Sequence, residues 1–247
     1  MYKEEKADFS AGEGRNRSFR HRADTNDFNT IHACFVEDEY RTKEMGSFDG
    51  SVCVDIGAHI GGFSLLCSVL GRGVGVYAYE PIPENHALLF HNAQDNDLQG
   101  CVYVHKLAVT GLDAGKVKMR YSSPREENSH HKFIGAPVLD EADLEKVQTF
   151  DAESISLSNI FLLNEISQVK VLKVDCEGAE YDIFENTPQE LFEMCEYIVG
   201  EFHSHPLVED GTGRARLLAA VGPMFEDLSV ESENANIGEF FFKRKNV

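Results

Sequence analysis

The chain has 247 residues, 42% of them hydrophobic, which suits one domain with extra segments and is enough for a substantial core. A formal net charge of −19 sets a field that repels phosphate backbones, with no local basic patch to offset it, so no nucleic-acid partner is expected. No apolar run approaches a membrane span, and the six cysteines (Cys34, Cys53, Cys67, Cys101, Cys176, Cys195) lack CxxC spacing, which reads them as reduced core residues and not as a zinc site.

The first stretch, MYKEEKADFSAGEGRNRSFRHR, is charged and has no hydrophobic centre, so neither a signal peptide nor a membrane anchor is expected, and a cytoplasmic site follows by default. Residues 1 to about 27 read as a mobile, solvated arm, in which the cluster Arg15, Arg17, Arg20 and Arg22 is balanced by acids. FNTIHACFVEDEY carries the first mixed apolar periodicity, that of a helix or a strand pair. Residues 1–49 are thus expected as an arm and cover segment, and residues 50–247 as the domain proper.

The run VDIGAHIGGFSLL, Val54 to Leu66, is a buried strand ending in a glycine turn that opens a helix. Backbone N–H groups at such a helix start meet a ligand only where no side chain intervenes, which singles out Gly57, Gly61 and Gly62. The strand VGVYAYEP follows and ends in Glu80, 25 residues beyond Asp55 and suited to hydrogen-bond two ribose hydroxyls. A dinucleotide fingerprint needs a second glycine where this chain has His59, whose Cβ obstructs a pyrophosphate. The spacing DxGxxxG instead resembles the first motif of class I S-adenosylmethionine-dependent methyltransferases, whose cofactor has no phosphate.

Next come a helix with Ala87, Leu88, Leu89 and Phe90 after Pro81 and Pro83, then the turn NAQDNDLQG and a third strand, CVYVHKLAV. Strands alternating with helices imply right-handed crossovers and a parallel sheet. Between about 111 and 150 the pattern breaks into KVKMRYSS, a polar SPREENSHHK loop and the helix-like LDEADLEKV, expected as an insertion roofing the pocket. The alternation resumes with ISLSNIFLL, the strand VKVLKVDCEG, the helix AEYDIFEN, the strand YIVGEFHSH and the helix GRARLLAAVGPMF. DLSVESE and EFFFKR, joined by NANIG, read as a C-terminal antiparallel hairpin.

Lys173 lies within a run whose length and β-branched flanks suit a central strand, where a lysine is expensive unless paired. In an extended strand Lys173 and Asp175 point to the same side, and Glu177 and Glu180 follow at the loop and helix start. A second polar group, Glu201, His203 and His205, ends YIVGEFHSH. A doubly wound sheet would set Asp55, Asp175 and Glu201 on neighbouring strand tips, and such a carboxylate cluster raises the pKa of at least one member toward neutrality, as a general base requires. His203 is the other candidate base. HSH with Glu201 and Asp175 can also be read as a metal site, but further ligands are lacking and no metal is expected. His130 and His131 read as solvated loop residues. The plain alternative is that Lys173 and Asp175 form a buried ion pair and Glu177 caps a helix.

VDIGAHIGGFSLL with YAYEPIPENHALLFHNAQDN, and above all VLKVDCEGAEYDIFEN, resemble the VDIGANIG, EPxPxN and KxDxEGAE segments of the FkbM family of S-adenosylmethionine-dependent methyltransferases. RADTNDF and VEDEY resemble the family's N-terminal cover, and GEFH its acidic strand followed by histidine. The resemblance implies an α/β, class I (Rossmann-like), doubly wound and mostly parallel seven-stranded sheet. It also implies that Asp55, Gly57, Gly61 and Glu80 bind the cofactor and that Lys173, Asp175, Glu177, Glu201 and His203 line the reacting centre. Ala58, His59, Ala108 and Asp175 complete the candidate cofactor contacts. Two positions depart from the family pattern: His59 replaces an asparagine, and Ser158 stands where an acid is usual.

The expected activity is methyl transfer from S-adenosylmethionine to a hydroxyl on a sugar, polyketide or other small metabolite. Asp175 or His203 would take the proton, Lys173 would tune the carboxylates, and Glu177 with Glu201 would orient the acceptor. The rival readings are an NAD-dependent oxidoreductase, against which His59 counts, and a non-catalytic cofactor-binding module, against which the costly KVDCEGAE charges count. No heptad or apolar stripe indicates an oligomeric state.

Overall fold

The structure, a computed structural model, describes residues 3–12, 15–122, 132–133, 147–203, 212–230 and 238–245. The chain forms two compact units, Met1–Lys106 and Leu107–Val247.

In the first unit, β1 (Glu4–Ser10) and β2 (Asn16–Arg22) pair antiparallel, so the stretch expected as a mobile arm is a hairpin. Two phenylalanines outweigh the charges. Phe9 and Phe19 are buried edge to face at 5.7 Å, and Phe19 packs on Phe35 at 5.3 Å. FNTIHACFVEDEY is helical, with α1 (Asp27–His32) running into a π-helical turn over Ala33–Glu37. β3 (Val52–Ile56), β4 (Gly75–Tyr79) and β5 (Val102–His105) are parallel, with Asp55 opposite Ala78 and Tyr79 opposite His105. Between them run α2 (Gly62–Leu70) and α3 (Pro83–Asp95), the latter starting on a proline, whose missing N–H costs nothing in a first turn. The hairpin is fastened to α3. Asn92 and Asn96 side chains accept from the backbone N–H groups of Arg20 (2.7 Å) and Ser18 (2.9 Å), serving the edge of β2 as a neighbouring strand would. Arg20 also grips Asp95 at 2.8 and 2.9 Å.

The second unit begins where the expected third strand breaks: β5 ends at His105 and a separate strand, β6 (Ala108–Thr110), joins a different sheet. β7 (Lys116–Ser122), β8 (Lys132–Phe133) and β9 (Val147–Ser156) complete that four-stranded sheet in the order β6-β9-β7-β8, so part of the expected insertion is strand. SPREENSH, His130, His131 and most of LDEADLEKV lie outside the described residues. α4 (Leu157–Leu163) is capped by Ser156, whose hydroxyl accepts from Asn159 N, and Ser158 lies within the first turn of that helix. β10 (Val169–Val174) leads to α5 (Glu180–Asn186) and α6 (Gln189–Phe192), and β11 (Cys195–Phe202) pairs parallel to β10. After α7 (Gly213–Val221), β12 (Phe225–Asp227) and β13 (Gly238–Arg244) pair antiparallel as a C-terminal hairpin, but its first arm is Phe225–Asp227 and meets the expected DLSVESE run only at Asp227, and residues 231–237 lie outside the described residues.

The α/β fold has a mostly parallel seven-stranded sheet. No helix among the described residues is long and apolar enough to cross a membrane.

Candidate active site

The sequence-predicted residues fall into two groups, one in each unit. In the first, Asp55 near the end of β3 is fully buried and accepts from Ser64 Oγ at 2.6 Å, which ties the strand to α2. The turn after it needs left-handed backbone at Gly57 (φ 76°), His59 (φ 50°) and Gly61 (φ 99°). A Cβ on Gly61 would stand 2.6 Å from Leu89 Cδ1, so that glycine serves both turn and packing. The N–H groups of Gly57 and Ala58 both donate to Tyr79 O at 3.0 Å, anchoring the turn to β4.

Glu80 is buried just past β4, and both carboxylate oxygens are held by backbone: Oε2 accepts from His59 N at 2.8 Å and Oε1 from Ile82 N at 2.9 Å. The His59 ring meets residues absent from the sequence-derived set. Its Nε2 lies 3.4 Å from Asp27 Oδ1 and 3.3 Å from Arg22 Nη2. Arg22 forks onto Asp27 with two contacts of 2.8 Å and reaches Asn85 Oδ1, also at 2.8 Å, with Arg22, Asp27 and Asn85 all buried. Burial alone would raise the Asp27 carboxyl, but hydrogen bonds from Arg22 and the neighbouring positive charge win, and it is held below its usual range. The RADTNDF and EPxPxN stretches contained these residues, but nothing in their spacing announced that they would meet.

In the second unit, Lys173 is buried near the end of β10, with Nζ 3.6 Å from Asp175 Oδ2, as strand geometry required. The loop Asp175–Ala179 turns through left-handed Glu177 (φ 58°) and Gly178 (φ 109°). Glu180, fully buried, holds that loop: Oε1 accepts from Cys176 N at 2.9 Å and Oε2 from Gly178 N at 2.8 Å. Close packing brings β11 alongside. A Cβ on Gly200 would fall 1.7 Å from Val174 O, so only glycine lets the backbone pass.

His203 follows β11 among three carboxylates: Nδ1 is 3.2 Å from Glu180 Oε1, and Nε2 is 3.5 Å from Glu177 Oε2 and 3.4 Å from Glu201 Oε2. Burial works against charge on the ring, but hydrogen bonds to Glu180 and Glu201 and the charges of Glu180 and Glu177 outweigh it and push it up to about 11. The imidazole is therefore a cation at neutral pH. Asp175, Glu201 and His203 also bring one donor atom each within 4.8 Å of one another. Glu177 is raised to about 8 by burial and by Asp175, Glu180 and Glu201, against the pull of His203. That brings the Glu177 carboxyl close to neutral pH.

Asp55, Gly57, Ala58, His59, Gly61 and Glu80 therefore assemble in the first unit, and Lys173, Asp175, Glu177, Glu201 and His203 in the second. Ala108 lies in β6 and packs with Met119 and Ala152 in the core of the small sheet. His205 lies outside the described residues. Glu180 was noted in the sequence only as a neighbour of Glu177, yet it holds both the loop and the imidazole.

A family model described as the methyltransferase FkbM domain matches residues 55–235. No curated protein sequence matches the chain. Among solved structures, the chain is similar to a 16S rRNA N2 G1207 methyltransferase from T. thermophilus, in complex with AdoMet and guanosine, at TM-score 0.51 and 12% identity. That match covers 100% of this chain and 51% of that one, so this chain spans about half the length of that enzyme. A putative rRNA methylase from Clostridium thermocellum (TM-score 0.48, 11% identity, covering 85% and 96%) and a precorrin-6y C5,15-methyltransferase from Geobacter metallireducens (TM-score 0.46, 12% identity, covering 85% and 87%) are also similar. At these identities the likeness concerns the fold, a class I, Rossmann-like one.

Proposed function

Because this chain belongs to the FkbM family of S-adenosylmethionine-dependent methyltransferases, we propose that it methylates a hydroxyl on a small metabolite such as a sugar or a polyketide. The observation that carries this reading is the Glu177–His203 cluster. A hydroxyl nucleophile must lose its proton as it attacks, and a base near working pH does this best. Glu177, raised to about 8, has that property, and Asp175 is the second carboxylate available for the task. His203, already charged, holds Glu177 and Glu201 in place and does not itself take the proton. Lys173 balances Asp175.

The first unit fits the cofactor. Glu80 has both oxygens oriented by backbone N–H groups, as binding two ribose hydroxyls requires, and Gly57 and Gly61 leave the backbone at two positions of the turn without side chains. S-adenosylmethionine supplies, when bound, a methyl group on a sulfonium; the protein contributes alignment, exclusion of water and removal of the acceptor's proton. A net charge of −19 favours neutral hydroxylated acceptors over nucleic acid, and a cytoplasmic setting goes with such a substrate.

The test is transfer of labelled methyl to a panel of hydroxylated metabolites and to RNA, with Glu177→Gln and Asp175→Asn alongside the wild type. We expect transfer to a hydroxyl, and in at least one variant a fall in turnover of about 100-fold with affinity for S-adenosylhomocysteine retained. Transfer to RNA alone, or wild-type turnover in both variants, overturns the reading.

A further inference from the structure

We propose that Arg22 and Asp27 are positioning residues of the cofactor site, acting through the His59 ring to hold the backbone that fixes Glu80. The inference rests on reading the Val54–Leu66 turn as the S-adenosylmethionine site.

His59 is the one non-glycine residue of that turn with left-handed backbone, at φ 50°, a conformation an L-residue keeps only when its surroundings enforce it. The conformation has a use: it aims the His59 N–H at Glu80 Oε2, 2.8 Å away, while Ile82 N secures Oε1. Both oxygens of the carboxylate expected to meet the ribose are thus set before any ligand arrives, and one of the two settings depends on His59. What enforces His59 lies on its ring, where Nε2 stands 3.4 Å from Asp27 Oδ1 and 3.3 Å from Arg22 Nη2. Arg22 is in turn immobilised by its fork onto Asp27 and by Asn85 at the start of α3.

Docking of the N-terminal hairpin does not account for this ion pair. Asn92, Asn96, the Arg20–Asp95 fork and the Phe9, Phe19 and Phe35 rings already fasten the hairpin. Asp27 also accepts from the Arg22 backbone N–H at 2.9 Å, a local bond that needs only an acceptor and no buried guanidinium beside it, and apolar side chains of similar volume could fill the rest of the space with little loss of packing. What apolar side chains cannot do is hold an imidazole by hydrogen bonding and charge. The N-terminal segment therefore belongs functionally to the cofactor site.

The experiment is calorimetric titration with S-adenosylhomocysteine of the full chain and of Arg22→Met/Asp27→Leu, which removes both charges together, with a thermal melt of each. The expected result is a cooperative melt and a Kd at least tenfold weaker than wild type. Adding His59→Asn to that variant is expected to recover at least threefold, because asparagine enters the left-handed region without a ring to be held. Should the double variant fail to melt cooperatively, Arg22→Lys carries the same expected loss, since a lysine keeps the charge but cannot contact Asp27, Asn85 and His59 at once. A folded variant that binds as tightly as wild type, or no recovery with His59→Asn, overturns the inference. A wild-type chain that does not bind S-adenosylhomocysteine overturns the site reading itself and this inference with it.

Discussion

Around His59, one arginine faces one aspartate through two contacts of 2.8 Å, and the charges cancel pairwise in a buried network. Around His203, one imidazole is shared by Glu177, Glu180 and Glu201 at 3.2 to 3.5 Å, while Lys173 faces Asp175 at 3.6 Å. Among the described residues of the second cluster, acids outnumber cations, and burial together with Asp175, Glu180 and Glu201 raises the pKa of Glu177. The first arrangement is closed and suits holding a turn; the second is unbalanced and suits moving a proton.

The comparison breaks most sharply at Asp27. Asp27→Ala leaves the Arg22 guanidinium buried without its counter-charge, and we expect a loss of about 3–5 kcal/mol in urea unfolding. A loss below about 1 kcal/mol would mean that the network is not closed in the sense described.

Glu177→Gln is expected to have the opposite sign. The folded chain holds the Glu177 proton more tightly than the unfolded chain, with a pKa of about 8 against an ordinary 4.5, so ionisation costs stability progressively as pH rises through that window. The shift corresponds to at most about 5 kcal/mol, and with the carboxylate 26% exposed to screening solvent, removing the charge should stabilise the protein above pH 8 by about 2 kcal/mol, roughly 5 °C in melting temperature, and change nothing below pH 4.5. Melts at pH 4.5 and 8.5 check it, and a difference that does not depend on pH would show the acid surplus to be harmless.

The smallest effect sharpens the contrast between buried and surface pairs. Lys6 meets Asp95 at 2.6 Å but is mostly exposed, and Arg20 already grips that carboxylate, so Lys6→Ala should shift stability by less than about 0.5 kcal/mol. Unfolding in urea measures it beside Asp27→Ala.

The alternation of strands and helices, the glycine turn before α2, the acid after β4, the Lys173–Asp175 pair and the C-terminal hairpin were all legible in the sequence. Each is written in a short window: a run of β-branched residues, a turn needing glycine, or two residues on one face of a strand. What was not legible depended on residues far apart in the chain. The N-terminal hairpin exists because Phe9 and Phe19 reach Phe35 and because Asn92 and Asn96 serve its edge, so a locally charged segment becomes a folded one. The third strand run divides between two sheets, which its uninterrupted apolar pattern did not signal.

The same division holds for the candidate site. The sequence by itself determined which chemical groups are present at the turn and at the strand ends, because motif spacing is a local property of the backbone. Only the tertiary structure decided their surroundings and partners: that acids on every side push the His203 ring up, that Glu180 holds the loop, and that Arg22 and Asp27 meet the His59 ring. A proton affinity is set by burial and by charges contributed from several elements at once, and that sum does not exist until the chain has folded.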